Sequence, residues 1–203
     1  MMINMSEKNQ KVLINPATQI ETERLIIRKF EKSDGKDLFD LLERNNNRTL
    51  LKDHVDEATD VKSLEDAKLR VSKLSADWED RSRFVMGIWL KKTREFIGNI
   101  WIEPKKWEVP SFEIGYYLDQ GYTGKGLASE AVKRSIEFIF EELKAHKVIL
   151  ITRDTNERSY KLAERLKFVK EGHFRESNKE DDHRFGLLYY GMLKKEYEKL
   201  FKG

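Results

Sequence analysis

Three glycines directly precede a long helix that the sequence predicts. They lie in the stretch DQGYTGKGLASEAV, residues 119–132, as Gly121, Gly124 and Gly126. A helix N-terminus leaves its first backbone N–H groups without partners and carries a partial positive charge, so it stabilises a bound anion. Glycine lets the backbone approach a phosphate closely, because it has no side chain to hold the phosphate away. The stretch therefore predicts either a phosphate-binding loop or an ordinary strand-to-helix turn.

The spacing of these glycines differs from that of two well-known phosphate loops. The sequence contains no G-x-x-x-x-G-K-[ST], which excludes a P-loop. It contains no G-x-G-x-x-G with an acidic residue about 20 positions later, which disfavours a dinucleotide fold. In a phosphate loop of another kind, the amides of residues 123–128 would converge on one or two phosphates. Lys125 would either add a charge or face solvent.

Hydrophobic patterns place this loop between a strand and a helix. The predicted strands cover residues 22–30, 83–91, 95–104, 111–118, 146–154, 169–177 and 184–193. The predicted helices cover residues 35–45, 63–80, 126–145, 157–168 and 194–201. This order, with one right-handed crossover through the long helix, indicates an α+β (mixed α/β) fold. Residues 1–20 read as a flexible leader, and residues 21–203 as a single domain.

Composition limits the possible functions. The chain has 39 basic and 36 acidic residues in 203, and a net charge of +3 without a basic stripe does not favour nucleic-acid binding. No apolar run is long enough to span a bilayer, so no membrane association is expected. The absence of cysteine agrees with a cytoplasmic location. The four histidines lack metal-ligand spacing, so no metal is expected.

The residues around the loop resemble those of a known family. FEIGYYLDQGYTGKGLASEAV, residues 112–132, resembles motif A of the GNAT (Gcn5-related) N-acetyltransferases, Q/R-x-x-G-x-G/A after a strand and opening a helix. Gly124 and Gly126 match this signature, whereas Gly121 occupies the Q/R position. Three segments resemble, in order, parts of the ribosomal-protein N-terminal acetyltransferase (RimJ/RimL-like) branch. They are ETERLIIRKF, EIGYYL and DTNERSYKLAERLKFVKEG. The likeness covers roughly residues 21–195, about the size of one domain.

The resemblance implies a fold and a reaction. The implied GNAT fold has a central, mostly antiparallel, twisted sheet of about seven strands, splayed at the fourth and fifth, with about four flanking helices. The implied activity is N-acetyltransferase: an acetyl group moves from acetyl-CoA to a primary amine by direct attack on the thioester. The branch favours a protein or peptide N-terminal α-amine as acceptor. Small-molecule acetylation, of a polyamine or an aminoglycoside, and a non-catalytic acyl-CoA-binding domain are the alternatives.

The resemblance also assigns residues to acetyl-CoA. The resemblance implies that the loop binds the pyrophosphate, through Gly121, Thr123, Gly124, Lys125, Gly126, Leu127 and Ala128. It also implies that the pantetheine arm is bound by the backbone of Tyr116, Tyr117 and Leu118, with Asn156 as a further hydrogen-bond partner. The side chains of the two tyrosines are expected to pack within the fold. Asn156 also fits a simple helix cap.

Catalytic roles are implied for two further residues. Glu113 matches the catalytic glutamate of several GNAT members and is the predicted general base, with a salt-bridged strand glutamate as the alternative. Ser159 is the predicted hydrogen-bond donor to the departing thiolate, because Ala163 stands where many members have a tyrosine acid. Tyr160 and Tyr190 are fallback acids, although a packed tyrosine is the more ordinary state of each.

The resemblance places the acceptor against segments 45–60 and 176–186 and the region of Trp101 and Trp107. Acidic runs in both segments would favour a cationic acceptor, unless they are ordinary solvated loops. Lys167 stands where the family often has glycine before phenylalanine, at a modest cost in backbone strain. The chain is expected to act as a monomer or a homodimer.

Overall fold

The computed structural model describes residues 11, 14–52 and 60–202. The chain divides into two compact units. One, here the N-terminal unit, comprises Ala17–Glu103 and Tyr116–Ser135. The other, here the C-terminal unit, comprises the chain up to Pro16, Pro104–Gly115 and everything from Ile136 onward.

The N-terminal unit contains four strands, three helices and the start of a fourth helix. In chain order they are β1 (Gln19–Glu21), β2 (Leu25–Lys29), α1 (Gly35–Glu43), α2 (Asn47–Lys52), α3 (Leu64–Glu79), β3 (Phe84–Leu90), the larger part of β4 (Phe96–Lys106), the last residues of β5 (Ser111–Leu118) and the first turns of α4 (Leu127–Glu141). A short 3-10 turn, Gln120–Tyr122, lies between β5 and α4.

Antiparallel pairing joins β1 to β2, β2 to β3 and β3 to β4. One face of these strands is covered by α1–α3, because leucines recur along α1 and small or branched apolar residues recur along α3. The resulting core consists of Ile26, Phe30, Leu38, Leu41, Leu42, Leu51, Val61, Ala67, Val71, Leu74, Val85, Trp89, Phe96 and Tyr117. Ser63 caps α3, since its Oγ accepts from Asp66 N at 3.1 Å.

The C-terminal unit contains the remaining elements. They are the last residues of β4, the first of β5, the last turns of α4, β6 (Lys147–Arg153), α5 (Glu157–Arg165), β7 (Val169–Glu180), β8 (His183–Leu193) and α6 (Lys194–Phe201). Strand β6 pairs in parallel with β5 and antiparallel with β8, which in turn pairs with β7. The β5–β6 pairing covers only Ser111–Glu113 and Lys147–Ile149.

The hydrogen-bonded strand order is β1-β2-β3-β4-β5-β6-β8-β7, an eight-stranded mixed sheet. The predicted fold class is therefore confirmed. The sheet has eight strands rather than about seven, and the described residues contain six α-helices rather than about four. Compared with the seven strands and five helices predicted from the hydrophobic patterns, the additional elements are β1 and α2. Because β1 adds a strand at the start, the splay predicted between strands four and five corresponds to the short pairing of β5 with β6.

Two expected segments fall partly outside the described residues. Of the predicted leader 1–20, residues 1–10 and 12–13 lie outside them, whereas Gln19–Glu21 form β1. The acidic segment 53–60 lies outside them except for Asp60. Between the predicted helices 35–45 and 63–80, where the sequence predicts no element, the structure has the short helix α2.

Candidate functional site

The glycine loop of the N-terminal unit begins at a buried carboxylate. Asp119 follows β5 directly and is fully buried. Its Oδ1 accepts from Gly121 N at 2.9 Å and from Asn45 Nδ2 at 2.8 Å, and its Oδ2 accepts from Arg44 Nε at 2.5 Å. Burial alone would raise the pKa of Asp119, but the hydrogen bonds from Asn45, Gly121 and Arg44 together hold it below its ordinary value.

The end of the loop has the backbone shape that glycine permits. Gly124 and Gly126 have φ of +75° and +76°, in the left-handed region, and α4 begins at Leu127. The N–H groups of residues 120–123 are all bonded within the unit, those of Gln120 and Gly121 to side chains of Asn47 and Asp119. No acceptor in the described chain contacts the N–H groups of residues 124–128. This part of the loop can therefore donate to an external anion.

Two predicted loop residues use their donors inside the protein. Thr123 donates both N–H, at 3.2 Å, and Oγ1, at 3.0 Å, to the carbonyl of Gln120. Lys125 Nζ donates to Gly121 O at 2.8 Å and lies 4.7 Å from the ring centroid of Tyr122. The ammonium of Lys125 thus folds back along the loop.

Arg24 supplies a second cation that the sequence did not single out. Its Nη1 donates to Lys125 O at 3.1 Å, and its Nε donates to Glu130 Oε2 at 2.6 Å. Glu130 lies in the first turn of α4 and also accepts from Thr22 Oγ1 at 2.5 Å. Burial would raise the pKa of Glu130, but the bonds from Thr22 and Arg24 lower it overall. These partners are more than 100 residues apart in sequence, so no local pattern could reveal them.

The departure from motif A at Gly121 has a steric reason. A Cβ at this position would lie 2.7 Å from Asn45 Nδ2. The amide of Asn45 therefore occupies the space in which the usual glutamine or arginine side chain would start. Asn45 itself has φ of +53°, a conformation that asparagine tolerates better than most residues.

The last residues of β5 lie against β4. Tyr117 is 4% exposed and belongs to the core of the unit, and Tyr116 and Leu118 are half-buried. The Tyr117 hydroxyl has no hydrogen-bond partner among the described residues, and its burial raises its pKa above the ordinary value. Gly98 of β4 has φ of +152°, and a Cβ there would lie 2.2 Å from Tyr117 O. Glycine at 98 thus allows the backbones to approach closely.

Glu113, the predicted base, lies in the C-terminal unit on the paired part of β5. Its Oε2 lies 2.7 Å from Lys105 Nζ, and its side chain is 19% exposed. This ion pair is the alternative that sequence reasoning kept open. General-base action by Glu113 stays a prediction, and it would have to occur beside a lysine.

Asn156 and Ser159 lie together at the start of α5. Asn156 Oδ1 accepts from Ser159 N at 3.2 Å, which is a helix N-cap. Capping uses the Asn156 oxygen and leaves its Nδ2 and the Ser159 hydroxyl as donors. Ala163 is fully buried on the same helix.

The fallback acid Tyr190 is bound to a carboxylate. Its hydroxyl donates to Glu164 Oε1 at 3.0 Å, and the residue is 1% exposed. Burial and this bond raise the pKa of Tyr190 to about 12, which makes it a poor proton donor at neutral pH. Tyr160, the other fallback acid, is half-buried.

In the acidic hairpin predicted to line the acceptor site, three of the four carboxylates have a basic partner. It has four carboxylates, at 176, 180, 181 and 182. Glu176 pairs with Arg184, Glu180 pairs with Arg153, and Asp182 pairs with Lys179. A separate pair, His173 Nε2 to Asp154 Oδ2 at 2.9 Å, ties β7 to the end of β6. Lys167, as expected, has a left-handed φ of +69°.

The predicted residues fall into two groups. Tyr116–Leu118 and the loop residues 121–128 belong to the N-terminal unit, and Glu113, Asn156 and Ser159 belong to the C-terminal unit. Sequence reasoning missed Asp119, Arg44 and Arg24, and it assigned Asn45 to the acceptor segment rather than to the support of the loop. No helix in the described ranges is long and apolar enough to cross a membrane. The described residues hold no cluster of three metal-ligating side chains, and the prediction of no metal stays a prediction.

A mixed sheet that leads through a left-handed glycine loop into a helix is compatible with an acetyltransferase, and the relatives of the chain identify the family. The family model described as "Acetyltransferase (GNAT) domain" matches residues 24–169. The chain is 31% identical over 176 residues to the uncharacterised N-acetyltransferase p20 of Bacillus licheniformis, covering 87% of this chain and 96% of p20. The chain therefore belongs to the GNAT acetyltransferase family and is an N-acetyltransferase.

Solved structures have the same fold. The GNAT-family acetyltransferase from Bacillus anthracis is 25% identical, with a TM-score of 0.72 over 87% of this chain and 99% of that one. RimL, the ribosomal L7/L12 α-N-protein acetyltransferase in complex with coenzyme A, is 18% identical, with a TM-score of 0.78 over 88% and 99%. At that identity the likeness to RimL concerns the fold alone.

Proposed function

We propose that the protein uses acetyl-CoA to acetylate the N-terminal α-amine of a protein or peptide. The observation that carries the proposal is the row of N–H groups at residues 124–128, where the first turn of α4 follows two left-handed glycines. A diphosphate carries the charge and the acceptor oxygens that such a row binds. The GNAT family supplies the chemical class of the ligand. The family model includes segments of both units, so we treat them as parts of one domain.

Each step of the reaction has a proposed residue. When bound, acetyl-CoA supplies the acetyl group as a thioester. Residues 124–128 hold its diphosphate, and the backbone of Tyr116–Leu118, with the Asn156 side-chain amide, holds its pantetheine arm. Glu113 takes a proton from the acceptor amine, directly or through water, so that the nitrogen lone pair can attack the carbonyl carbon. The Ser159 hydroxyl donates a hydrogen bond to the departing sulfur, since its own pKa is too high for it to act as a strong acid.

The charge of the late hairpin favours an α-amine over a polyamine. A polycation would be recognised by several unpaired carboxylates at once. Three of the four carboxylates at 176–182 already pair with a lysine or an arginine. We also propose that the protein acts in the cytoplasm.

A panel of acceptors tests this proposal. The protein would be mixed with acetyl-CoA and, separately, with short peptides bearing free N-termini, with N-terminally blocked lysine peptides, with spermidine and with an aminoglycoside. Released CoA thiol would be detected in each mixture. We expect release with the free N-terminal peptides alone. Release of CoA with spermidine or the aminoglycoside, but not with the peptides, would contradict this proposal and support acetylation of a small molecule instead.

A further inference from the structure

We infer that Asp119 is a positioning residue for coenzyme binding, which fixes the glycine loop to the corner between α1 and α2. The inference rests on the proposed acetyl-CoA function. Asp119 would touch no part of the coenzyme. It would act by holding the first half of the loop, so that the second half presents its N–H groups together.

The contacts of Asp119 join three segments of the N-terminal unit. Its carboxylate accepts from Gly121 N within the loop, and from Asn45 Nδ2 and Arg44 Nε in the corner between the helices. Arg44 also donates to the Phe96 carbonyl at the start of β4 and lies 3.2 Å from Glu95. A carboxylate with no exposed surface is stable only when its oxygens are paired in this way.

A second bond fixes the adjoining residue. Gln120 N donates to Asn47 Oδ1 at 2.8 Å, and Asn47 Nδ2 donates to Leu41 O at 2.7 Å. Asn47 is 1% exposed, so this bridge between the loop and α1 is inside the unit. The corner thus binds two successive residues: Arg44 and Asn45 bind Asp119, and Asn47 binds Gln120. The tight fit of Asn45 against Gly121 excludes a side chain from the same place.

The consequence is a loop divided into a bonded half and a donating half. The N–H groups of residues 120–123 donate to acceptors inside the protein, whereas those of residues 124–128 do not. Donors that are already oriented cost little entropy when the ligand binds. Replacing Asp119 with asparagine would leave Arg44 with only its ion pair to Glu95 among the described residues, and it would place an amide NH₂ group against the N–H donors that now bind the carboxylate. The bonded half would loosen, and the coenzyme would have to order it.

Asp34 offers a matched control in the same unit. It is 4% exposed, accepts from Arg28 Nη1 at 2.7 Å and Nη2 at 2.9 Å, and accepts from Glu31 N at 2.7 Å. Asp34→Asn and Asp119→Asn therefore remove the same kind of buried Asp–Arg pair. Only Asp119→Asn removes it from the loop. A difference between the two variants isolates the positioning role from general destabilisation.

The experiment measures acetyl-CoA binding by calorimetry and the unfolding temperature of wild type and both variants. We expect both variants to unfold at lower temperature. Asp119→Asn should weaken binding roughly tenfold, about 1.4 kcal/mol of lost loop order, and Asp34→Asn should leave it unchanged. Unchanged affinity in Asp119→Asn, or equal weakening in both variants, overturns the inference. Failure of the wild type itself to bind acetyl-CoA would instead remove the proposed function, and the inference with it.

A milder pair of variants covers the case in which Asp119→Asn does not fold. Asn45→Gly keeps the left-handed backbone and removes the amide donor to Asp119. Asn46→Gly, at an exposed neighbour with φ of +59°, is its control. The first should weaken acetyl-CoA binding severalfold and the second should not. Equal affinities for the two variants would contradict the role of the corner.

Discussion

Replacing Gly98 with alanine should destabilise the N-terminal unit far more than an ordinary glycine replacement. The new Cβ would lie 2.2 Å from Tyr117 O and 2.9 Å from Leu118 Cα. Both neighbours are backbone atoms, so one strand would have to move by about 1 Å in a packed region, an overpacking that costs about 1–3 kcal/mol. The φ of +152° adds about 1–3 kcal/mol for a residue with a side chain.

Gly124→Ala is the matched control for this effect. Gly124 also has a positive φ, of +75°, but no atom lies within 4 Å of its added Cβ. It should therefore cost only about 1 kcal/mol, from backbone strain alone. For a chain of this size 1 kcal/mol corresponds to about 2–4 °C in unfolding temperature. The unfolding temperature should therefore fall by about 4–24 °C in Gly98→Ala and by about 2–4 °C in Gly124→Ala.

Urea unfolding followed by circular dichroism would measure both variants at 25 °C. The comparison is valid if their denaturant slopes agree, since the slope reports the surface exposed on unfolding. Equal losses of stability in the two variants would refute the steric argument. They would show that β4 and β5 can separate at little cost.

Three further predictions concern charge and the proposed reaction. Gly126→Glu places a carboxylate at the mouth of α4 and should abolish acetyl-CoA binding in calorimetry while the circular dichroism spectrum is kept; normal affinity would count against the loop. Glu113→Gln should lower turnover by about 100-fold or more, most strongly at low pH, and an unchanged pH–rate profile would remove Glu113 as the base. Glu130→Gln should lose about 1–2 kcal/mol at neutral pH. Because the folded pKa of Glu130 is lowered, its contribution is fully present above about pH 4.3 and disappears as the pH falls through the folded pKa. The stabilities of variant and wild type in urea unfolding should therefore converge at a pH below the folded pKa.

Most of the fold could be predicted because long elements carry strong patterns. Residues 146–154 form an apolar run rich in β-branched residues, and residues 126–145 repeat apolar residues at helical spacing. The two predictions agree with β6 and α4 within a few residues. The missed elements, β1 and α2, have three and six residues, too few for a period to show. Helix α2 also follows two asparagines with positive φ, and the sequence reads this segment as a loop.

Only part of the candidate site could be predicted, for a similar reason. The glycines and the helix start are neighbours in sequence, so their role could be inferred from spacing. The residues that orient the loop are remote from it: Arg44 and Asn45 precede Asp119 by 75 and 74 positions. A charged residue between a strand and a glycine loop is the one local signal that could have drawn attention to Asp119. Its partners depend on the packing of α1, which only the folded chain provides.

The outer strand β7 has a consequence for the behaviour of the protein at high concentration. It ends the strand order, and a strand in that place offers backbone groups to which another chain can add. Half of its twelve residues are charged, and its pairing with β8 is interrupted by two register shifts. These features discourage fibril-like growth, because a second strand would meet repeated like charges and an uneven edge. Val169 and Phe174, 52% and 58% exposed, are the apolar exceptions on this strand. Replacement of Phe174 by a charged residue would further protect this edge from aggregation.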